Sequence, residues 1–300
     1  MTKPRAHLIA NKKSGRGAGA SLPDLARQIC AAHGTELVEY DTSENFEGQI
    51  EKAVAAAKKD GGTVIAAGGD GTIRSVAQKA HSQDVRFAVV SCGTFNFFAR
   101  NHRIPEDTAE ALALAITGST RPVRLGEMNG EVFLINASLG LYAKAIRERE
   151  RHTKRFGRLR IVAILSTIVS MLSKHRLLTV DLLTGKETRT LLTPMIFIGN
   201  NALQLRDLKM EVARCMKLDL LAVVLMRPLT KLEVLRVIFR GFFRTIEKED
   251  RIDSFCVDHI VIHTRKPRQT VALDGEMFEM SSPLKIQALP QTLNMVLPPL

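Results

Sequence analysis

Apolar positions in the first 120 residues fall into short runs that alternate with segments of helical spacing. Runs of this kind predict strands where they are continuous or alternating, and helices where the spacing is three to four residues. The pattern predicts strands at 6–10, 35–41, 63–67 and 85–91, helices at 20–33 and 44–59, and a further helix opened by the turn after residue 67. Strands that alternate with helices are typical of parallel βαβ units.

After about residue 122 the pattern changes to paired alternating runs. Asn129-Gly130 lies between two such runs, and Thr184-Gly185 lies between two more. An Asn-Gly pair flanked by alternating apolar residues is a strong hairpin signal. The second half is therefore predicted to be mainly antiparallel with two inserted helices, and the domain boundary is placed near residues 120–125.

Composition favours an anionic partner. The chain has a formal net charge of +12 and a pI of about 9.8, which suits a nucleotide, a nucleic acid or an acidic membrane. It contains no Trp and only two Tyr, and it lacks aromatic residues interleaved with basic ones, so no nucleic-acid partner is expected. The uncharged run at 161–173 is shorter than a membrane-spanning helix.

The four cysteines, Cys30, Cys92, Cys215 and Cys256, are widely scattered. No pair has the spacing of metal ligands, and no disulfide framework is implied. We expect reduced, partly buried thiols of a cytosolic protein. The N-terminal apolar run is too short for a signal peptide.

The turn Gly68-Gly69-Asp70-Gly71-Thr72 stands where a predicted strand meets a predicted helix. Glycines allow backbone N–H groups to approach an anion, and the helix N-terminus adds favourable dipole charge. Asp70 is a candidate for holding a metal-bound phosphate chain or tuning the reacting group, and Thr72 for binding a phosphate oxygen. The same residues also suit a plain glycine turn with a helix cap.

Two further loops follow predicted strands in the same way. Residues 11–20 contain Ser14 and Gly15 among basic residues, and residues 91–100 contain Gly93 and Thr94. Because the carboxyl ends of parallel strands lie at one edge of a sheet, all three loops are expected at the edge where ligands bind.

Together these segments resemble the diacylglycerol kinase catalytic-domain family of bacterial lipid kinases, related to sphingosine and ceramide kinases. The resemblance rests on "GGDGT" followed by "GTFN" at 93–96, and on "NKKSGRG" at 11–17. It extends over nearly the whole chain through "NASLG" at 136–140, "IGN" at 198–200 and "LDGE" at 273–276.

The resemblance implies an α/β nucleotide-binding domain at 1–124 with a parallel sheet, and a β-rich, sandwich-like lipid domain at 125–285. Residues 286–300 would return toward the first domain, and the active site would lie in a cleft. It implies ATP with Mg²⁺, Glu276 as general base and Asp274 on the same face if that segment is extended; Asp70 completes the catalytic candidates. Without the resemblance, residues 274–276 would be interpreted as a turn with two exposed carboxylates. The implied ATP contacts are Asn11, Ser14, Gly15, Thr42, Gly68, Gly69, Asp70, Gly71, Thr72, Ile73, Arg74, Gly93, Thr94 and Asn96.

The chain departs from the family pattern at three places. Ser91 and Phe97 stand where the family often has Pro and Asp, and Cys215-Met216 stand near the family's aspartate-glycine pair for a structural Mg²⁺. No structural metal is therefore predicted, while a catalytic Mg²⁺ that arrives with ATP is expected.

Two segments suggest contact with an anionic membrane surface. Residues 144–176 carry ten Lys or Arg against two Glu around an apolar run, and residues 229–248 place Arg236, Arg240 and Arg244 on one helical stripe. Basic, apolar helices suit the interface of an anionic leaflet, although the same patterns also suit solvated charges on a packed helix.

The leading interpretation is an ATP-dependent lipid kinase bound peripherally to the cytoplasmic face of the membrane, with a lipid alcohol as acceptor. An NAD kinase and a non-catalytic, membrane-associated member of the fold are the alternatives. The sequence does not identify the lipid or the oligomeric state.

Overall fold

The computed structural model describes residues 3–11, 22–140, 177–185, 187–207, 211–228 and 252–299. The chain divides into two compact units, which are described separately. The first contains Met1–Leu125 and Leu289–Leu300, and the second contains Gly126–Ala288. The two predicted basic segments, and the helices expected in the second half, fall within 141–176 and 229–251 and lie outside the described residues.

The first unit is built on a parallel sheet in the order β2-β1-β3-β4. These strands are β1 Arg5–Ala10, β2 Glu36–Asp41, β3 Thr63–Gly68 and β4 Arg86–Ser91. Every residue of β3 is buried, which explains its continuous apolar sequence. The helices of this unit are α1 Leu22–Ala32, α2 Phe46–Asp60, α3 Asp70–Gln83, α4 Phe97–Asn101 and α5 Thr108–Thr117.

The ends of α2 follow from local sequence. The Asn45 side chain accepts a hydrogen bond from the Gly48 N–H at 2.9 Å and caps the N-terminus. Gly61, with φ of 70°, ends the helix in the left-handed conformation that glycine adopts without steric cost. The chain is thereby turned directly into β3.

The second unit contains two mainly antiparallel sheets. One sheet has the strand order β12-β11-β10-β7-β14-β15. In the other, the first part of β16 pairs with β13, and β8 and β9 come next in the sheet. The strands that follow α5 are β5 Ser119–Met128, β6 Glu131–Phe133, β7 Asn136–Gly140, β8 Leu178–Thr184, β9 Glu187–Thr193, β10 Met195–Gly199, β11 Leu221–Met226, β12 Ile252–Val257, β13 His259–Thr264, β14 Arg268–Leu273, β15 Glu276–Ser281 and β16 Leu284–Leu297; β5 begins and β16 ends in the first unit. The short helices are α6 Ala202–Asp207 and a 3-10 helix Glu211–Leu218.

An apolar core lies between the two sheets. Leu139 and Ile198 from the six-stranded sheet and Leu182 and Ile262 from the other belong to one buried cluster. Asn129 and Gly130 have φ of 50° and 88°, so the tight turn predicted between β5 and β6 is present. The predicted fold class, an α/β domain with a parallel sheet followed by a β-rich domain, is confirmed.

The last long strand, β16, crosses the boundary between the units along the chain. Its first residues pair antiparallel with β13, as in Ile286 opposite Ile260. Farther along, Met295 pairs parallel with Phe87 of β4. The final residues of the chain therefore belong to the first unit.

The expectation that all four cysteines are reduced is wrong for one pair. Cys215 of the 3-10 helix and Cys256 of β12 form a disulfide with a Cα–Cα distance of 5.4 Å. Cys30 and Cys92 are free thiols. The pair is brought together because the 3-10 helix packs on the apolar face of β11 and β12, a proximity that sequence spacing does not reveal.

Candidate active site

The end of β1 is joined to the glycine turn that precedes α3. The Asn11 backbone N–H donates to the Ala67 carbonyl at 3.0 Å, and Asn11 Nδ2 donates to Thr72 Oγ1 at 3.1 Å. Two of the three predicted loops therefore begin side by side at the carboxyl edge of the parallel sheet. Residues 12–21, which include Ser14 and Gly15, lie outside the described residues.

The third loop packs against the same glycine turn. The Cys92 N–H donates to the Gly68 carbonyl at 2.8 Å. A Cβ added to Gly93 would lie 3.0 Å from the Gly69 Cα, a separation tighter than ordinary van der Waals contact. Glycine at these positions allows the two backbones to approach closely.

The N-terminus of α3 lies at this junction. Its N-cap residue is Gly69, which provides no side-chain hydrogen bond to the helix. The first backbone N–H groups of a helix have no acceptor within it, and the helix dipole is positive at this end. The amides of Gly71 and Thr72 are accordingly suited to phosphate oxygens.

The other predicted ATP contacts lie near this junction and differ in how far their side chains are exposed to solvent. Thr42 follows β2, and its hydroxyl donates to the Ala10 carbonyl at 2.9 Å. Thr94 is exposed on the third loop. The side chains of Ile73 and Arg74, by contrast, are buried within the unit, so these two residues contribute to the turn through its packing.

Asp70 lies beneath the third loop. Burial raises the pKa of its carboxyl group, although the backbone N–H groups of Phe98, Phe97 and Asn96 favour the charged form and oppose the shift. These amide contacts hold the start of α4 against the start of α3. Asp70 therefore positions the third loop as well as contributing charge.

Several buried oxygen atoms at this edge have no hydrogen-bond partner among the described residues. They include Asp70 Oδ1, Asn96 Oδ1 and Ser91 Oγ. Buried polar groups are normally satisfied, and carboxylate and amide oxygens are ligands or outer-sphere acceptors that suit Mg²⁺ and its waters. The residues present therefore fit a magnesium–nucleotide group, and within the described ranges no cluster of three acidic, His or Cys side chains forms a separate metal site.

The third loop also carries an aromatic pair that sequence reasoning missed. The rings of Phe95 and Phe97 are stacked, with centroids 5.6 Å apart and planes inclined by 3°. Phe95 is 49% exposed. The position that departs from the family's aspartate thus supports an apolar surface beside Thr94.

A second polar centre lies in the second unit, where three of the family-like segments meet. The Asp274 carboxylate accepts backbone hydrogen bonds from Leu134 at 2.7 Å, Ile135 at 2.8 Å and Asn136 at 2.9 Å. Asn200 binds the same segment, donating from its backbone to the Ile135 carbonyl at 2.8 Å and from Nδ2 to the Leu134 carbonyl at 3.1 Å. "LDGE", "IGN" and the start of "NASLG" are therefore one structural assembly.

This geometry corrects the expectation that Asp274 and Glu276 share a face of an extended segment. Asp274 and Gly275 have φ of 49° and 90° and form the turn between β14 and β15. The Asp274 carboxylate is directed to the backbone of residues 134–136, whereas Glu276 is exposed at the start of β15. Asp274 is thus placed to hold the turn that presents Glu276.

The second unit also contains a cavity of about 860 Å³. Side chains from β8, β9, β11 and β12 line it, among them Leu182, Leu191, Leu225, Phe255 and Val257. Arg189 and Arg227 belong to the same lining, and the Arg227 guanidinium is paired with Asp253 at 2.9 Å. The cavity therefore combines an apolar wall with cationic groups. In the part of the chain that the structure describes, no helix is both long and apolar enough to span a bilayer.

Comparison with known proteins agrees with these features. The family model described as the diacylglycerol kinase catalytic domain matches residues 5–128. A Pseudomonas aeruginosa protein named "Probable lipid kinase YegS-like" is 40% identical over 115 residues, which cover 37% of each chain. A protein of Bacillus subtilis named diacylglycerol kinase is 34% identical over 143 residues, 43% of this chain and 44% of the relative. These alignments span less than half the length of either relative.

The fold extends the likeness to both units. A crystal structure described as a diacylglycerol kinase from Bacillus anthracis superposes with a TM-score of 0.72 at 19% identity, covering 99% of this chain and 97% of that one. The matched family model and the names of these two relatives are those of lipid kinases. The resemblance expected from the sequence is confirmed for residues 5–128, which match the model of the diacylglycerol kinase catalytic domain.

Proposed function

We propose that this protein transfers the γ-phosphoryl group of ATP to the hydroxyl group of a diacylglycerol-type lipid alcohol. The observation that carries the proposal is the junction at the carboxyl edge of the parallel sheet. There, the glycine turn 68–72, the third loop and the uncapped N-terminus of α3 offer backbone donors to a phosphate chain. This junction lies within the matched catalytic domain.

The chain's own groups would bind and orient the nucleotide. Backbone N–H groups of Gly71 and Thr72 are proposed to bind phosphate oxygens, and Asn11 fixes the Thr72 hydroxyl at 3.1 Å. The oxygens of Asp70 and Asn96 are proposed to face the hydrated metal. Bound Mg²⁺ would supply charge neutralisation at the transferred phosphoryl group.

Glu276 is proposed to accept the proton of the lipid hydroxyl. It is exposed, and its position is set by the Asp274 turn, which three backbone N–H groups hold in place. Proton acceptance by a positioned carboxylate typically contributes 10²–10⁴-fold to the rate, as an order-of-magnitude range. Asp274 therefore acts as a positioning residue rather than as the base.

The cavity of about 860 Å³ in the second unit supports an acceptor with acyl chains. Its apolar wall suits hydrocarbon, and Arg189 and Arg227 suit an anionic or polar headgroup region. A water-insoluble acceptor would be met at a membrane, and the net charge of +12 favours an anionic leaflet. We therefore propose peripheral binding at the cytoplasmic face of the membrane.

Phe97 favours one alternative, a binding protein of the same fold without catalysis, because it replaces a polar group next to the nucleotide loops. Transfer of label from ATP to lipid separates the enzyme from the binding protein, whereas binding of MgATP does not. Ligand that binds only the folded state raises the melting temperature in either case, but only an enzyme releases labelled lipid.

The test is an acceptor panel with γ-labelled ATP and Mg²⁺. Diacylglycerol, phosphatidylglycerol, a sphingoid base and a polyprenol are presented in mixed micelles, and NAD is supplied in solution as the competing acceptor. Incorporation of label into a lipid, with none into NAD, is expected. Label in NAD alone would replace the proposal with an NAD kinase, and MgATP binding without any labelled acceptor would favour the non-catalytic protein.

A further inference from the structure

A separate cavity lies in the first unit, at the opposite ends of the same strands that carry the nucleotide loops. Its volume is about 450 Å³. The turns that lead into β3 and β4 form its wall, whereas the glycine turn and the third loop follow the far ends of those strands. The polar residues that line it are Lys58, Asp84, Arg86, Thr120 and Asn294.

Arg86 is the central cation of this cavity. One terminal guanidinium nitrogen donates to the Gly118 carbonyl at 2.9 Å, while the Nε atom is buried with no hydrogen-bond partner among the described residues. Burial alone lowers the pKa of the guanidinium, and no described carboxylate offsets the shift. A half-buried guanidinium without a carboxylate partner gains free energy from an anion that reaches it.

The remaining lining groups add to the positive character. Lys58 is exposed in the last turn of α2, and Thr120 presents a hydroxyl at the same cavity. Among the described residues of the lining, Asp84 is the one acidic residue, and its carboxylate accepts a hydrogen bond from Asn294 Nδ2 at 2.6 Å. The cavity is thus lined by two cations, Arg86 and Lys58, by one hydroxyl and by the Asp84 carboxylate, which is hydrogen-bonded to Asn294.

We infer that this cavity binds a phosphomonoester, at a site distinct from the proposed nucleotide site. Arg86 offers a charged N–H donor, Lys58 a mobile point charge and Thr120 a hydroxyl, a combination suited to a dianion with three oxygens. A carboxylate has only two oxygens and suits these three groups less well. The same chemistry is presented by a small phosphorylated metabolite and by the headgroup of a phospholipid such as phosphatidic acid.

The test measures binding of glycerol 3-phosphate by calorimetry at matched ionic strength. We expect Arg86→Gln and Lys58→Gln each to weaken binding by about 10–100-fold, the effect of one charge-assisted hydrogen bond. Lys59→Gln is the matched control, because it removes the same charge from the adjacent exposed position, which does not line the cavity. Binding to this control should equal that of the unmodified chain.

Two further measurements distinguish the site and the source of the phosphate. Thr72→Ala should weaken ATP binding and leave glycerol 3-phosphate binding unchanged, and saturating ATP should not displace glycerol 3-phosphate. Co-sedimentation with phosphatidic acid vesicles is compared with co-sedimentation with phosphatidylcholine vesicles. Selective co-sedimentation with phosphatidic acid that both Arg86→Gln and Lys58→Gln abolish identifies a lipid headgroup as the ligand. Binding of glycerol 3-phosphate without such co-sedimentation identifies a soluble ligand.

Equal glycerol 3-phosphate affinity in the unmodified chain, Lys58→Gln and Lys59→Gln would overturn the inference, and so would complete displacement by ATP. Lys58 is exposed, so its variant tests the site even if replacement of Arg86 impairs folding. Because none of these measurements requires phosphoryl transfer, loss of this inference would leave the proposed kinase activity untouched, and the reverse also holds.

Discussion

Reduction of the Cys215–Cys256 bond is expected to destabilise the second unit by a calculable amount. The bond joins residues separated by 41 positions along the chain. Closing a loop of this length removes about 13 cal/mol/K of entropy from the unfolded chain, which corresponds to about 4 kcal/mol of stability at 25 °C. That is a large share of the roughly 5–15 kcal/mol typical of a folded domain.

The assay is urea unfolding followed by circular dichroism, with and without a thiol reductant. The double variant Cys215→Ala/Cys256→Ala is the control, because it has no cross-link to lose and its unfolding midpoint should not respond to reductant. Thiol titration of the unfolded, non-reduced chain should detect two groups, Cys30 and Cys92, and reduction should expose all four.

Equal unfolding midpoints for the oxidised and reduced chains would refute the stability reasoning. Four reactive thiols before reduction would refute the disulfide itself and return the chain to the fully reduced state first expected from its sequence.

Three other changes test the site and its surroundings. Asp274→Asn weakens three charge-assisted hydrogen bonds, so we expect kcat to fall about 10–100-fold with the KM for ATP unchanged; an equal loss in nucleotide affinity would contradict a role confined to the Glu276 turn. Gly93→Ala introduces a methyl group 3.0 Å from the Gly69 Cα, so ATP affinity measured by calorimetry should fall at least tenfold; unchanged affinity would refute the close approach as a requirement. Burial and nearby positive charge lower the pKa of His102 from 6.5 to about 4. The free energy of unfolding should therefore fall as the pH is lowered from 6.5 to 4, by a total of ~3 kcal/mol. His102→Phe should flatten this part of the stability–pH curve, and an unchanged slope would refute the assignment.

Local sequence patterns predicted those strands, turns and helices whose conformation depends on neighbouring residues. The buried run of β3 and the glycines around Asp70 specify a strand, a turn and a helix within a dozen residues. The Asn129-Gly130 turn likewise depends only on the φ values its two residues adopt. The periodicity of apolar residues and the positions of glycines were therefore sufficient to predict these elements.

The missed features depend on contacts between distant residues. Asp274 binds backbone groups 138 to 140 positions away, and the chain pattern around it is equally compatible with an extended segment. The Cys215–Cys256 pairing depends on how a 3-10 helix packs against a strand. The stack of Phe95 and Phe97 is local, but it depends on the conformation of the third loop, which the apolar pattern does not specify.

The central claim is that Glu276 takes the proton in phosphoryl transfer from ATP to a lipid hydroxyl. The most direct measurement compares initial rates of labelled-phosphate transfer to lipid for Glu276→Gln and Glu279→Gln, which make the same change of charge at two exposed positions of β15. We predict at least a 100-fold loss for Glu276→Gln, with MgATP affinity unchanged, and nearly full activity for Glu279→Gln. Equal activity of the two variants would contradict the account.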